Sequence, residues 1–115
     1  MTTRENHLPD LNRLNQRLAL NAVRVQEFLE GLSPRLDALL EAARLRNWSE
    51  VGRLSHVVLR CCDVYGYEAL AKKAAQVCEA NAACEAPEII AKKVIGLMGE
   101  FARTSSRSRA ASALV

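Results

Sequence analysis

Leu54-Ser55-His56-Val57-Val58-Leu59-Arg60-Cys61-Cys62 is the stretch on which the fold turns. Leu54, Val58, Cys61 and Tyr65 recur at intervals of four, three and four residues, which is the spacing of one buried helical stripe. At roughly 100° per residue, His56 lies about 160–200° from that stripe. The spacing therefore sets an imidazole on the water side of a packed helix. A histidine so placed is open to partners and can act as a nucleophile near neutral pH.

The boundaries of this helix are written on either side. Asn47-Trp48-Ser49-Glu50 reads as its start, with Asn47 as cap and Glu50 three residues on in a box-like signature. Gly66 breaks it or marks a tight turn. Upstream, a long helical pattern runs from about Asn21 to Arg46, with Val25, Phe28, Leu29, Leu32, Leu36, Leu39, Leu40 and Ala43 as its apolar stripe. Ser33-Pro34 interrupts it. Either Ser33 caps a new helix with Pro34 at its first position, or one helix kinks there. The stripe stays in phase through the proline, which favours the kink.

Ahead of that, residues 1–7 are polar and read as frayed. Pro9 opens a short amphipathic segment with Leu11, Leu14 and Leu18 on one face. Downstream, a third helix covers roughly Tyr67 to Ala82, using Leu70, Ala74, Val77 and Cys78. Glu85-Ala86-Pro87-Glu88 is a break and a new start. A fourth helix runs to about Arg103, with Ile90, Val94, Leu97, Met98 and Phe101 inward. Gly96 and Gly99 weaken it or admit a neighbouring helix. Residues 104–115 are rich in Ser, Arg and Ala and read as a flexible tail. Four helices with short connections predict an all-α, antiparallel up-down four-helix bundle over residues 21–103, with a short extra N-terminal helix within residues 1–20.

Composition agrees with that class. The 115 residues suit one domain, and half are apolar while a quarter are charged. Such a chain buries enough surface to fold without disulfides or metal. Few aromatics, few Gly and Pro, and abundant Val, Leu and Ala point to helices. The net charge of +3 is too mild to argue for nucleic acid. Much of the excess falls at Arg103, Arg107 and Arg109. No apolar run approaches the ~20 residues of a membrane span, and no signal-peptide core is visible, so a cytoplasmic protein is expected. Cys61, Cys62, Cys78 and Cys84 contain no C-x-x-C; they read as small buried hydrophobes, with no metal site expected.

Around His56 the wheel places Ser49, Gly52, Arg53, Leu59, Arg60 and Asp63. Arg53, three residues before, and Arg60, four after, reach the same patch and can support a phosphoryl group through charge-assisted hydrogen bonds. A polar face with two solvated arginines is the plainer reading. Gly52 removes bulk beside the ring, and a mid-helix Gly costs about 1 kcal/mol relative to Ala. Space for a partner and a close helix contact explain it equally well. Leu59 is either a docking contact or a scattered surface Leu. His7 falls in the frayed segment and carries no role. No P-loop, HExxH or His-Cys constellation is present.

Taken together, these residues resemble a histidine-containing phosphotransfer domain. The family pattern is a His, a Lys three later, a Gly four later, another Gly ten later and an apolar residue at fourteen. His56 falls on the phosphoacceptor, Gly66 on the second glycine and Leu70 on the apolar position. Val64-Tyr65-Gly66-Tyr67 is similar to a Tyr-Gly-Phe form of the turn. The run from Phe28 and Leu29 through Pro34, Arg35, Leu36, Leu39 and Ala42, and Asn47-Trp48 where the family often has Asp-Trp, also fit. The likeness covers about residues 23–103. Two positions depart: the family lysine is Leu59 here and its first glycine is Arg60. The resemblance implies a four-helix bundle that carries phosphate on His56 between receiver-domain aspartates, with Arg60 standing in for the lysine's charge. It implies no cofactor of the chain's own, since Mg²⁺ and the catalytic apparatus belong to the receiver. Partners would be a response-regulator receiver domain or a hybrid histidine kinase, with the chain itself a monomer and not an autonomous enzyme. Gly52, Leu59 and Asp63 would lie in the docking surface. Two alternatives stand beside this: a docking module of the same fold that transfers nothing, motivated by Leu59 and Arg60, and an unrelated helical adaptor using its basic tail.

Overall fold

The computed structural model describes residues 11–113, with side chains described from Val23 to Ala110. It contains four helices over this range and no strand: α1 (Leu11–Arg44), α2 (Trp48–Val64), α3 (Glu68–Ala82) and α4 (Pro87–Ala113). Each helix packs on the next, and α4 closes back on α1. Among the described residues the backbones of the diagonal pairs stay apart, and those helices share only the core between them. This is an up-down-up-down bundle, and its short connections enforce antiparallel neighbours.

The core is the inner stripe of all four helices. Leu32, Leu36 and Leu39 of α1 meet Val51, Val58 and Cys62 of α2, Leu70, Ala74 and Val77 of α3, and Ile90, Val94 and Leu97 of α4. Phe28 closes one end by stacking on Tyr65 and Tyr67, with ring centroids 4.3 and 5.2 Å away. Such pairs contribute about 0.5–1.5 kcal/mol beyond area burial. They tie the α2–α3 turn to α1.

Three boundaries differ from the sequence reading. First, the segment carrying Leu11, Leu14 and Leu18 is not a separate helix: α1 runs unbroken through Asn21 and through Pro34. What precedes Leu11, including His7 and Pro9, lies outside the described residues. Second, α2 is turned slightly from the expected stripe. Its buried residues are Val51, Leu54, Ser55, Val58 and Cys62. Cys61 is only half-buried and Tyr65 is exposed, because Tyr65 already caps the helix end. Third, residues 104–113 are helix, not a loose tail. Serines compete with the backbone for hydrogen bonds and so read as loop. Here Thr104 Oγ1 donates to the Glu100 carbonyl at 2.9 Å, Thr104 and Ser105 are buried, and α1 runs alongside. Helices α1 and α4 therefore continue beyond the ends of α2 and α3, and the molecule measures 66 × 25 × 16 Å.

All three turns use one device. After α1, Asn47 N–H donates to the Ala42 carbonyl (2.9 Å) and Arg46 N–H to Ala43 (3.1 Å). After α2, Tyr67 donates to Cys62 and Gly66 to Asp63; after α3, Glu85 donates to Ala80 and Cys84 to Asn81. This is the Schellman pattern, which requires a left-handed residue just past the helix. Arg46, Gly66 and Cys84 fill that position with φ of 57°, 76° and 53°. Only Gly66 adopts it without steric cost. Arg46→Gly and Cys84→Gly are each expected to raise the unfolding free energy by about 0.5–1 kcal/mol, less than the full left-handed penalty because glycine also loosens the unfolded chain. Gly66→Ala should lower it by about 1 kcal/mol. Urea midpoints of the three variants check this; all three moving in one direction would refute it.

Candidate functional site

Helix α2 divides into three strips. Val51, Leu54, Val58 and Cys62 face the core. Gly52, Ser55 and Leu59 form the flank toward α3. Arg53, His56, Arg60 and Asp63 form the exposed line. His56 stands in the middle of that line, as its spacing predicts. On α3, Lys72, Ala75, Glu79 and Ala82 repeat at three, four and three residues on the side turned away from the core. Short side chains at Ala75 and Ala82 leave the outer α2–α3 face low around the imidazole.

The floor beneath His56 is a chain of polar contacts joining α2 to α3. Ser55 Oγ donates to the Gly52 carbonyl at 3.2 Å, and Cys78 Sγ donates to Ser55 Oγ at 3.3 Å. Asn81 Nδ2 donates to the Trp48 carbonyl at 3.1 Å. Ser55 is fully buried, so its two bonds offset the cost of desolvating a hydroxyl. Asn81 Oδ1 has no partner among the described residues. None of these pairings is legible in the sequence. Ser55, one turn after Val51 and one turn before Leu59, is the one sign the sequence offers.

Gly52 belongs to this floor. A Cβ there would stand 3.0 Å from Asn81 Nδ2. Its bareness admits the Asn81 amide and is not a clearing for an incoming molecule. Removing both groups should therefore cost less than the single changes suggest. Gly52→Ala gains about 1 kcal/mol of helix propensity only where Asn81 is also Ala. In the presence of Asn81 that gain is lost, giving a coupling of about 1 kcal/mol in a double-mutant cycle. Additive single changes would refute the contact.

Leu59 is likewise not a free docking contact, being half-buried against the core. Arg53 is exposed but ion-paired to Glu50 one turn earlier. The same pair holds the Glu50 carboxyl below its usual range, its hydrogen bond from Arg53 outweighing partial desolvation. Glu50 is thus drawn to Arg53 and does not reach back to Asn47. Asn47 still caps α2, its Oδ1 accepting from Glu50 N–H at 3.3 Å. Arg60 is exposed and makes no ion pair among the described residues, and Asp63 is exposed a turn beyond it. Of the two arginines, Arg60 is the one free to swing toward a group on His56.

The thiols serve other ends. Cys62 is buried, Cys61 and Cys78 are half-buried, and Cys84 is exposed. Arg35 of α1 reaches Cys61 Sγ at 3.8 Å. No group of three or more metal-ligating side chains occurs among the described residues, and none of their helices is long and apolar enough to cross a membrane. An open cleft of about 280 Å³, lined by Trp48, Asn81, Cys84, Glu85, Pro87 and Ile90, lies at the end of the bundle, where α2 starts and α3 meets α4. His56 does not line it. Gly96 and Gly99 receive no neighbouring helix: a Cβ at Gly96 would meet nothing, and one at Gly99 only Arg103. Compared with protein-family models, curated proteins and solved structures, the chain matches none.

Proposed function

We propose that the protein is a phosphorelay intermediate that carries a phosphoryl group on His56. The observation that carries this reading is a solvent-exposed imidazole at the centre of the outer strip of α2, on a bundle whose α2–α3 floor is pinned beneath it. Rigid presentation is what a carrier contributes, since a positioned nucleophile avoids much of the entropy cost of a bimolecular encounter. A ring nitrogen attacks the phosphorus of an aspartyl phosphate on a receiver domain. The N–P bond forms as the P–O bond to the aspartate breaks, and the electron pair leaves with the carboxylate. Arg60 supports the transferred oxygens with its guanidinium. Mg²⁺ and the remaining transition-state stabilisation come from the receiver. Return of the group to a second aspartate reverses these steps.

Incubation with a ³²P-labelled receiver domain and Mg²⁺ should label the protein, with the label lost in acid and retained in base. His56→Gln should abolish labelling while shifting stability by no more than about 0.5 kcal/mol, because the side chain is exposed. Arg60→Ala should slow transfer by about tenfold, the loss of one charge-assisted contact. Labelling that survives His56→Gln would overturn the assignment.

A transfer-incompetent docking module is the second reading. Arg60 favours it, as a long exposed side chain one turn beyond His56 on the strip a partner would approach. On that reading His56→Gln leaves receiver binding intact, no label appears, and Arg60→Gly alone restores transfer.

A further inference from the structure

Ser55 of α2 and Cys78 of α3 fix how the two helices stand against each other, with Oγ and Sγ 3.3 Å apart. Asn81 and Gly52 give the same register, Asn81 Nδ2 lying 3.0 Å from where a Gly52 Cβ would stand. His56 follows Ser55, and Glu79 follows Cys78. One step along a helix turns a side chain by about 100°. Because α2 and α3 are antiparallel, both steps turn to the same outer side of the groove between them. His56 and Glu79 therefore lie side by side across that groove, and both are exposed. Little bulk stands around them: Gly52 lies one turn before His56, and Ala75 and Ala82 flank Glu79. Glu79 makes no ion pair among the described residues. Its neighbours three and four residues away are Ala75, Gln76, Ala82 and Ala83, so its own helix brings it no cation. Across the groove, Arg53 is bonded to Glu50. Arg53 and Arg60 lie on the other side of the imidazole, away from α3. Lys72 shares the outer line of α3 but stands level with Cys61 by the same register, and Asp63 and Glu68 lie farther toward the α2–α3 turn. Glu79 is the carboxylate that faces His56.

We infer that Glu79 keeps a phosphoryl group on His56 ready to leave, by repelling it across the α2–α3 groove. This rests on the reading of His56 as the phosphoacceptor. The phosphoryl oxygens carry about two negative charges. A carboxylate about 6 Å from them shifts an equilibrium constant by about threefold to tenfold, once salt screening is counted. Arg60 supports the same oxygens from the opposite side, so the group is held between one attraction and one repulsion. It departs when an oxygen nucleophile, water or a receiver carboxylate, attacks phosphorus. The P–O bond forms as the P–N bond breaks, and the electron pair returns to the ring nitrogen. In hydrolysis that nitrogen takes up the proton that water gives up. The repulsion from Glu79 is relieved as the group departs, so the carboxylate favours passing phosphate on over storing it.

The test is the lifetime of the phosphate, in a His7→Gln background so that His56 is the one imidazole. Potassium phosphoramidate phosphorylates the ring without any receiver, and ³¹P spectra follow the loss of the signal. Glu79→Gln should lengthen the half-life about threefold to tenfold at about 20 mM salt, and Glu79→Lys more. At about 1 M salt the gain should shrink below about twofold, because the Debye length is then about 3 Å. Glu79→Asp, which keeps the charge, should stay within about twofold of the parent, and so should Glu88→Gln, an equal change of charge on α4. In exchange with a labelled receiver, Glu79→Gln should raise the share of phosphate on His56 by the factor seen in the lifetime. An unchanged or shorter half-life in Glu79→Gln would overturn the inference, as would an equal gain in Glu88→Gln. A gain that ignores salt would overturn it too, since a change of packing is not screened. Protein that phosphoramidate marks but that exchanges with no receiver would sink the relay reading, while the lifetimes still decide on Glu79. Failure of phosphoramidate to mark His56 would overturn both.

Discussion

Pro34→Ala is expected to raise the unfolding free energy by about 2 kcal/mol. Pro34 lies inside α1, with fully buried Leu32 and Leu36 on either side of it. A proline there leaves the Glu30 carbonyl without its helical donor and presses its ring on that carbonyl, at a cost of about 3 kcal/mol. Its side chain is exposed, so removing it forfeits little packing. Against the gain stands the stiffness proline gives the unfolded chain, which stabilises by about 0.4–1 kcal/mol. The helix term wins by roughly threefold. Urea denaturation of the two proteins decides the matter. A midpoint that stays put or falls would mean that the proline sets a bend the packing of α1 requires.

Stability should fall by about 2 kcal/mol between pH 9 and pH 11 through a single buried thiol. Cys62 is 0% exposed. Burial, and then the neighbouring Cys61 and Asp63, push it from 9.0 up to about 11. The folded protein holds this proton more tightly than the unfolded chain does. Its stabilising contribution is complete below the unfolded value near 9 and is lost as pH rises through about 11. The full shift of two units corresponds to about 3 kcal/mol, of which about 2 is lost by pH 11 and the rest above it. Tyr67 acts in the same sense, raised by burial and then by Cys62, so it adds to the loss above its ordinary value of 10. Cys62→Ala should flatten the profile between pH 9 and 11, leaving the share due to Tyr67. Maleimide at pH 8 should modify exposed Cys84 at least about a hundred times faster than Cys62, which is both protonated and covered. Equal rates, or an alkaline profile unchanged by Cys62→Ala, would show that the thiol is not sequestered.

The local record in the sequence was good where a side chain's fate depends on its own helix. His56 is exposed because it lies opposite Leu54 and Val58, whatever α2 packs on. The Asn47 cap, the turn at Gly66 and the fresh start at Pro87 follow from backbone chemistry within a few residues. A side chain's fate departs from its helix's own pattern where a second element intervenes. Tyr65 looked buried by period, but the helix ends there and the ring turns to stack on Phe28. Leu59 looked like surface by its distance from the core stripe, yet it fills the flank toward α3. The last turns of α4 looked loose by composition, and α1 gives them a partner.

The amino-acid order alone determined four amphipathic helices, the turns between them and the outward aim of one imidazole. Those properties follow from periodicity and caps, which act over three or four residues. Tertiary structure alone decided that Gly52 makes way for Asn81 and that Ser55 and Cys78 brace the site from below. Each of these depends on which helix stands beside which and at what height. That order is set by the turns and the closing of α4 on α1, and no window of a single helix contains it.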